Sequence, residues 1–172
     1  LGAACGTTDQ AAVGPSHSAS TSTSAGPSTP VSPTPSPRSP QPIPESLLGQ
    51  DVERIPTSRR VVALTFDAGA NADAVPSILA TLAGEHVTAT FFLTGDFVQR
   101  FPDAARSIVT SGHRLGNHSV DHPAFTSLTD GETRDQVLGA EEQISSVTGH
   151  DPRPLFRFPL GDRDARTIAA VN

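Results

Sequence analysis

Apolar and polar positions change period several times along residues 45–172, and each change predicts an element. Val61, Val62, Ala63 and Leu64 run unbroken into Thr65 and Phe66, which predicts a buried strand over 61–66 that ends at Asp67. Val75, Ile78, Leu79 and Leu82 fall at helical spacing and predict a helix within 71–85. Pro76 suits only a first helical turn, so that helix begins near Ala74 or Val75, with Asn71 or Asp73 as its cap. "VTATFFLTG" (87–95) is rich in β-branched and aromatic residues and predicts a second strand. A helix over 102–111 stops at Gly112, and "HRLGNHS" (113–119) predicts a short third strand. Residues 128–148 predict a long helix, opened by Thr129 with Glu132 completing a capping box and closed by Gly149. "PLFRFP" (154–159) is a fourth strand, and Asp164 starts another helix. Strands alternating with helices call for a parallel sheet with helical crossovers, either open or closed into a barrel.

Residues 14–44 follow no such period. They are mostly Ser, Thr and Pro with one charge, Arg38, and bury too little apolar surface to offset the entropy of ordering. The expectation is a disordered spacer, its Pro-rich half extended at ~3.1 Å per residue. Residues 1–13 read as the end of a signal region. The small residues before Cys5 resemble a bacterial lipobox in which that cysteine is lipidated, although the usual Leu position holds Gly2 and Leu1 lies one place further out. The alternative is the tail of an ordinary signal peptide. Either reading sends the protein across a membrane, to the extracellular side or the outer face of the cell membrane. No apolar run reaches the ~20 residues of a membrane span. The net charge of −6, with every basic residue an Arg and no basic cluster, argues against a nucleic-acid partner. A single cysteine excludes an internal disulfide.

The unusual polar residues fall at strand ends. Asp67 ends the first strand, Asn117, His118 and His122 follow the third, and Arg157 lies in the fourth. In a parallel sheet these ends share one rim, where α/β folds place active sites. "HSVDH" spaces two imidazoles so that they can share a metal ion, or else it is a polar loop with two surface histidines. Asp67 on the same rim favours the metal. His86, His113 and His150 have no such partners and read as loop or surface residues, and His17 lies in the spacer.

"LTFDAG", "GNHSVDH" and "FRFPLG", with "ATFFLTG" between the first two, resemble in order and spacing the motifs of the polysaccharide deacetylases, the carbohydrate esterase family 4 or NodB-homology domain. The resemblance covers about residues 58–172. It implies a distorted (β/α) barrel, of which residues 45–172 are the N-terminal part, with the later motifs and a general-acid histidine beyond Asn172. It also implies removal of acetyl groups from N-acetylglucosamine polymers such as peptidoglycan or chitin, or from acetylated xylan, with a divalent metal, often zinc. Carried over, Asp67 looks like the general base, Arg157 its orienting partner, and His118 and His122 metal ligands. The backbone N–H near Leu160 looks like an oxyanion donor.

Two departures stand out. Where the family has a second Asp, its third metal ligand, this chain has Ala68, and Asp73 is the nearest spare carboxylate that could substitute. Leu160 replaces a frequent Tyr, which matters less if only the backbone is used. Ala68 keeps a second reading open, a carbohydrate-binding pseudoenzyme or structural envelope lipoprotein. A hydrolase of another ester on the same scaffold is a third.

Overall fold

Three short strands lie parallel in the order β1–β2–β3: β1 is Thr65–Ala68, β2 Thr90–Leu93 and β3 Arg114–Asn117. The computed structural model of the protein describes residues 44–55 and 57–172. Cys5 and the expected spacer over 14–44, but for Pro44, lie outside them. The register runs Thr65↔Thr90↔Arg114 through Ala68↔Leu93↔Asn117, so the three C-terminal ends fall on one rim. A single parallel bridge, Asn117↔Phe156, is all that forms of the expected fourth strand. Among the described residues the sheet is open.

Among the described residues five α-helices accompany it: α1 Val75–Gly84, α2 Gly95–Arg100, α3 Pro102–Thr110, α4 Asp130–Thr148 and α5 Ala165–Val171. α4 carries the expected capping box, with Thr129 and Glu132 exchanging hydrogen bonds, and ends on Gly149 at φ +72. That left-handed conformation suits glycine, which has no Cβ to clash. α2 has no counterpart in the sequence reading. Thr94 caps it by accepting from the Phe97 N–H at 3.1 Å. Its six residues are too few to display a period, and the first of them, Gly95, falls within the strand predicted over 87–95.

Three expectations need correction. Residues 61–64 are not strand: Val61, Val62 and Leu64 are exposed, Val62 at 91 %, so the apolar run is not buried here. The N-cap of α1 is Ala74, without a side-chain bond, while Asn71 Oδ1 accepts from the Asp73 N–H in a local turn. His113 is buried, and its Nδ1 accepts from the Ala89 N–H at 3.3 Å.

The core lies between the sheet and the helices. Phe91, Leu93, Phe97, Ile108 and Ile144 are fully buried there. On the sheet's other face is a cavity of about 1100 Å³. Residues 47–53 and Ile55 line part of it, tied down by Arg163, which pairs with Asp51 at 2.8 Å and Glu53 at 3.1 Å. No described helix is long and apolar enough to cross a membrane.

Candidate active site

Successive side chains of a strand point to opposite faces. On β1, Phe66 and Ala68 pack against the core, while Thr65 and Asp67 line the cavity. On β2, Phe91 and Leu93 are buried in the core, while Thr90 and Phe92 line the cavity. Asp67 thus stands on the open face at the end of its strand.

Asp67 Oδ1 accepts from Arg157 Nη1 at 2.5 Å, and Arg157 Nη2 donates to Thr65 Oγ1 at 3.1 Å. The guanidinium carbon sits 4.0 Å from the centroid of the Phe92 ring. A planar guanidinium makes in-plane hydrogen bonds and a face contact at once, so three neighbours fix its position. The Asp67 side chain is 44 % exposed, and an ion pair so open contributes at most ~1 kcal/mol to stability. Its consequence is orientation: one carboxylate oxygen is held while Oδ2 lies 3.9 Å from His118 Nε2.

Space for this arrangement comes from Gly116. A Cβ there would meet the Phe92 ring at 2.5 Å, too close for any side chain. Thr65, Phe92 and Gly116 went unmarked in the sequence reading. Strand alternation would have put the first two beside Asp67, but only the packing shows why position 116 must be small.

His118 is buried just past β3. Its Nδ1 lies 2.9 Å from the carbonyl oxygen of Arg157. A carbonyl only accepts, so Nδ1 carries the proton and Nε2 keeps its lone pair. Desolvation by burial lowers the His118 pKa, against the opposing pull of that hydrogen bond and of Asp67. His122 is exposed, with φ +67, and its ring meets that of His118 edge-on at 4.9 Å between centroids. Its N–H donates to Ser119 Oγ at 3.0 Å.

Leu160 lines the cavity in a short 3-10 turn, Pro159–Gly161, with φ +59 and a side chain 73 % exposed. That backbone is unusual for a γ-branched residue. Asp67, Arg157, His118, His122 and Leu160 therefore share one cavity. Asp73 is not among its lining residues and lies in the exposed turn before α1. Among the described residues no three His, Cys, Asp or Glu side chains gather into a metal site. Two imidazoles, one with its tautomer fixed by a backbone carbonyl, fit a divalent ion at two positions. Ala68 offers no third donor.

Comparison with known proteins bears on this arrangement. The Polysaccharide deacetylase family model matches residues 54–172. A peptidoglycan-N-acetylglucosamine deacetylase of Bacillus cereus is 36 % identical over 107 residues, covering 62 % of this chain and 38 % of that protein. The crystal structure of a peptidoglycan N-acetylglucosamine deacetylase bound to a hydroxamate superposes with a TM-score of 0.63 at 33 % identity, covering 67 % of this chain and 54 % of the other. A carbohydrate esterase family 4 pseudoenzyme from Bacillus anthracis superposes with a TM-score of 0.63 at 31 % identity, covering 66 % and 40 %. The chain thus spans 38 % of the curated relative's length and about half of the first structure's. It shares their α/β fold of the NodB-homology type, and the match over well over half of its residues establishes that it belongs to the polysaccharide deacetylase family.

Proposed function

We propose that the protein removes N-linked acetyl groups from an N-acetylglucosamine-containing polysaccharide, such as peptidoglycan or chitin, outside the cytoplasm or on the outer face of the cell membrane. The observation that carries this reading is Asp67, held on one oxygen by Arg157 and open to a cavity beside an imidazole with a free Nε2. Asp67 is the base that takes a proton from the water attacking the acetyl carbonyl. Arg157 orients it, and Phe92 and Thr65 hold Arg157. The Leu160 N–H donates to the developing oxyanion, a role that needs backbone alone. His118 and His122 would hold a divalent ion, for which zinc suits paired imidazoles. Such an ion supplies Lewis acidity to the carbonyl and lowers the pKa of water toward neutrality. With Ala68 in place of a carboxylate, the affinity for zinc would be weak. Relatives named as acting on peptidoglycan support the substrate class. Passage across the membrane rests on the residues before Cys5, and lipid anchoring on that thiol.

The test is Asp67→Asn in the full-length protein, assayed by acetate release from N-acetylglucosamine oligomers. We expect release to fall ~10³-fold with the thermal midpoint unchanged. Release that survives the substitution would refute Asp67 as the base. Ala68 supports a second reading, a glycan-binding pseudoenzyme. It predicts oligomer binding that ignores chelator and no acetate under any condition.

A further inference from the structure

Two residues of the loop between the imidazoles are pinned by a side chain from α4, Gln136. Gln136 Oε1 accepts from the Val120 N–H at 2.9 Å and the Asp121 N–H at 3.3 Å. Gln136 Nε2 donates to Asp121 Oδ1 at 2.7 Å. Only one orientation of the amide satisfies all three contacts, because two donors and one carboxylate face it. The loop has further anchors: the Ser119 and Val120 carbonyls accept from the Gly95 and Asp96 N–H groups of α2, both at 2.9 Å. The Ser119 N–H donates to Asn117 Oδ1 at 2.8 Å, and Asn117 Nδ2 donates to the α4 carbonyl of Val137 at 2.8 Å. Ser119 and His122 both have positive φ, at +72 and +67. Non-glycine residues persist there only when their surroundings over-determine them. Ser119 Oγ secures His122 from one side, and Gln136 secures the two residues just before it.

We propose that Gln136 is a positioning residue that sets the separation of His118 and His122 by clamping residues 120 and 121 to α4. This rests on the reading of those histidines as a metal pair. The clamp matters more here than where three side chains hold an ion. With Ala68 giving no third donor, the geometry of the pair alone presents nitrogen to the ion. An outer contact that orients metal ligands is worth ~10–100-fold in affinity.

The test is a polarity swap in the full-length protein. Gln136→Glu keeps an acceptor for the two N–H groups but sets two carboxylates against each other. Asp121→Asn in that background restores a donor facing an acceptor. Amide hydrogen exchange is read on the metal-free protein, and zinc affinity by calorimetry. We expect Gln136→Glu to raise exchange of the Val120, Asp121 and His122 amides ~10-fold and to weaken zinc by a similar factor. The double variant should bring both back to within ~3-fold of wild type, with global unfolding unchanged in all three. A single variant that exchanges and binds like wild type would overturn the inference, as would loosened amides with undiminished zinc affinity or a double variant that recovers neither. If the wild type binds no zinc, the metal reading fails, and the amide exchange alone then decides whether Gln136 holds the loop.

Discussion

The two faces of the sheet obey the same alternation and reach opposite outcomes. Toward the helices, Phe66, Ala68, Phe91, Leu93 and Leu115 enter a dry core with Phe97, Ile108 and Ile144. Toward the cavity, Thr65, Asp67, Thr90, Phe92 and Arg114 stay on an open wall. One residue's step along β1 therefore separates packing from chemistry. Burying a polar group without a partner costs free energy, so the packed face of the sheet carries apolar side chains while the open face gathers polar ones. Ala68 sits on the packed side of that boundary, and Asp67 on the open side.

Changes to the two faces should separate function from stability. The largest effect expected is that of Asp67→Asn on turnover, at no cost to the fold. Ile108→Ala, deep in the core, should do the reverse and cost ~2–5 kcal/mol of stability in chemical denaturation while the midpoint for zinc binding stays put. Gly116→Ala crosses the boundary. Its Cβ would strike the ring that supports Arg157, so we expect a loss of ~1–3 kcal/mol together with reduced turnover. Turnover unaffected by Gly116→Ala would show that Phe92 does not hold Arg157. Thr129→Ala removes the α4 cap and should cost ~1 kcal/mol, read by thermal unfolding, with no effect specific to the site.

The smallest expected effect is a pH dependence. Burial lowers the His113 pKa from its ordinary value, and its Nδ1 must stay unprotonated to accept from Ala89. The unfolded chain then binds the proton first, so stability falls as pH drops below the ordinary histidine value and continues to fall until the folded-state pKa is passed. His113→Leu should flatten that part of the stability–pH curve. An unchanged slope would show that His113 does not carry it, leaving His118, whose pKa is lowered in the same direction.

Much of this was legible in the sequence because it depends on short-range rules. The capping box of α4, Gly149 at its end and the start of α1 at Val75 all follow from local chemistry. The shared rim follows from parallel topology, which brought Asp67, His118, His122 and Arg157 together as expected. What escaped depends on distant partners. Residues 61–64 look like buried strand because apolar composition cannot say whether a neighbour covers them. His113 looks like a surface residue because its partner, Ala89, is on another strand's approach. Gln136 is one polar residue among many on α4, and only the folded loop shows what its amide meets. Asp73 is close to Ala68 along the chain, yet the turn before α1 keeps it off the cavity wall.

Whether the open face works without a carboxylate at position 68 is the central question. The direct measurement is acetate release from N-acetylglucosamine oligomers by the full-length protein, with zinc and with chelator. The account predicts zinc-dependent release by the wild type that chelator abolishes. Folded wild-type protein that binds the oligomers and releases no acetate at any zinc concentration would contradict it.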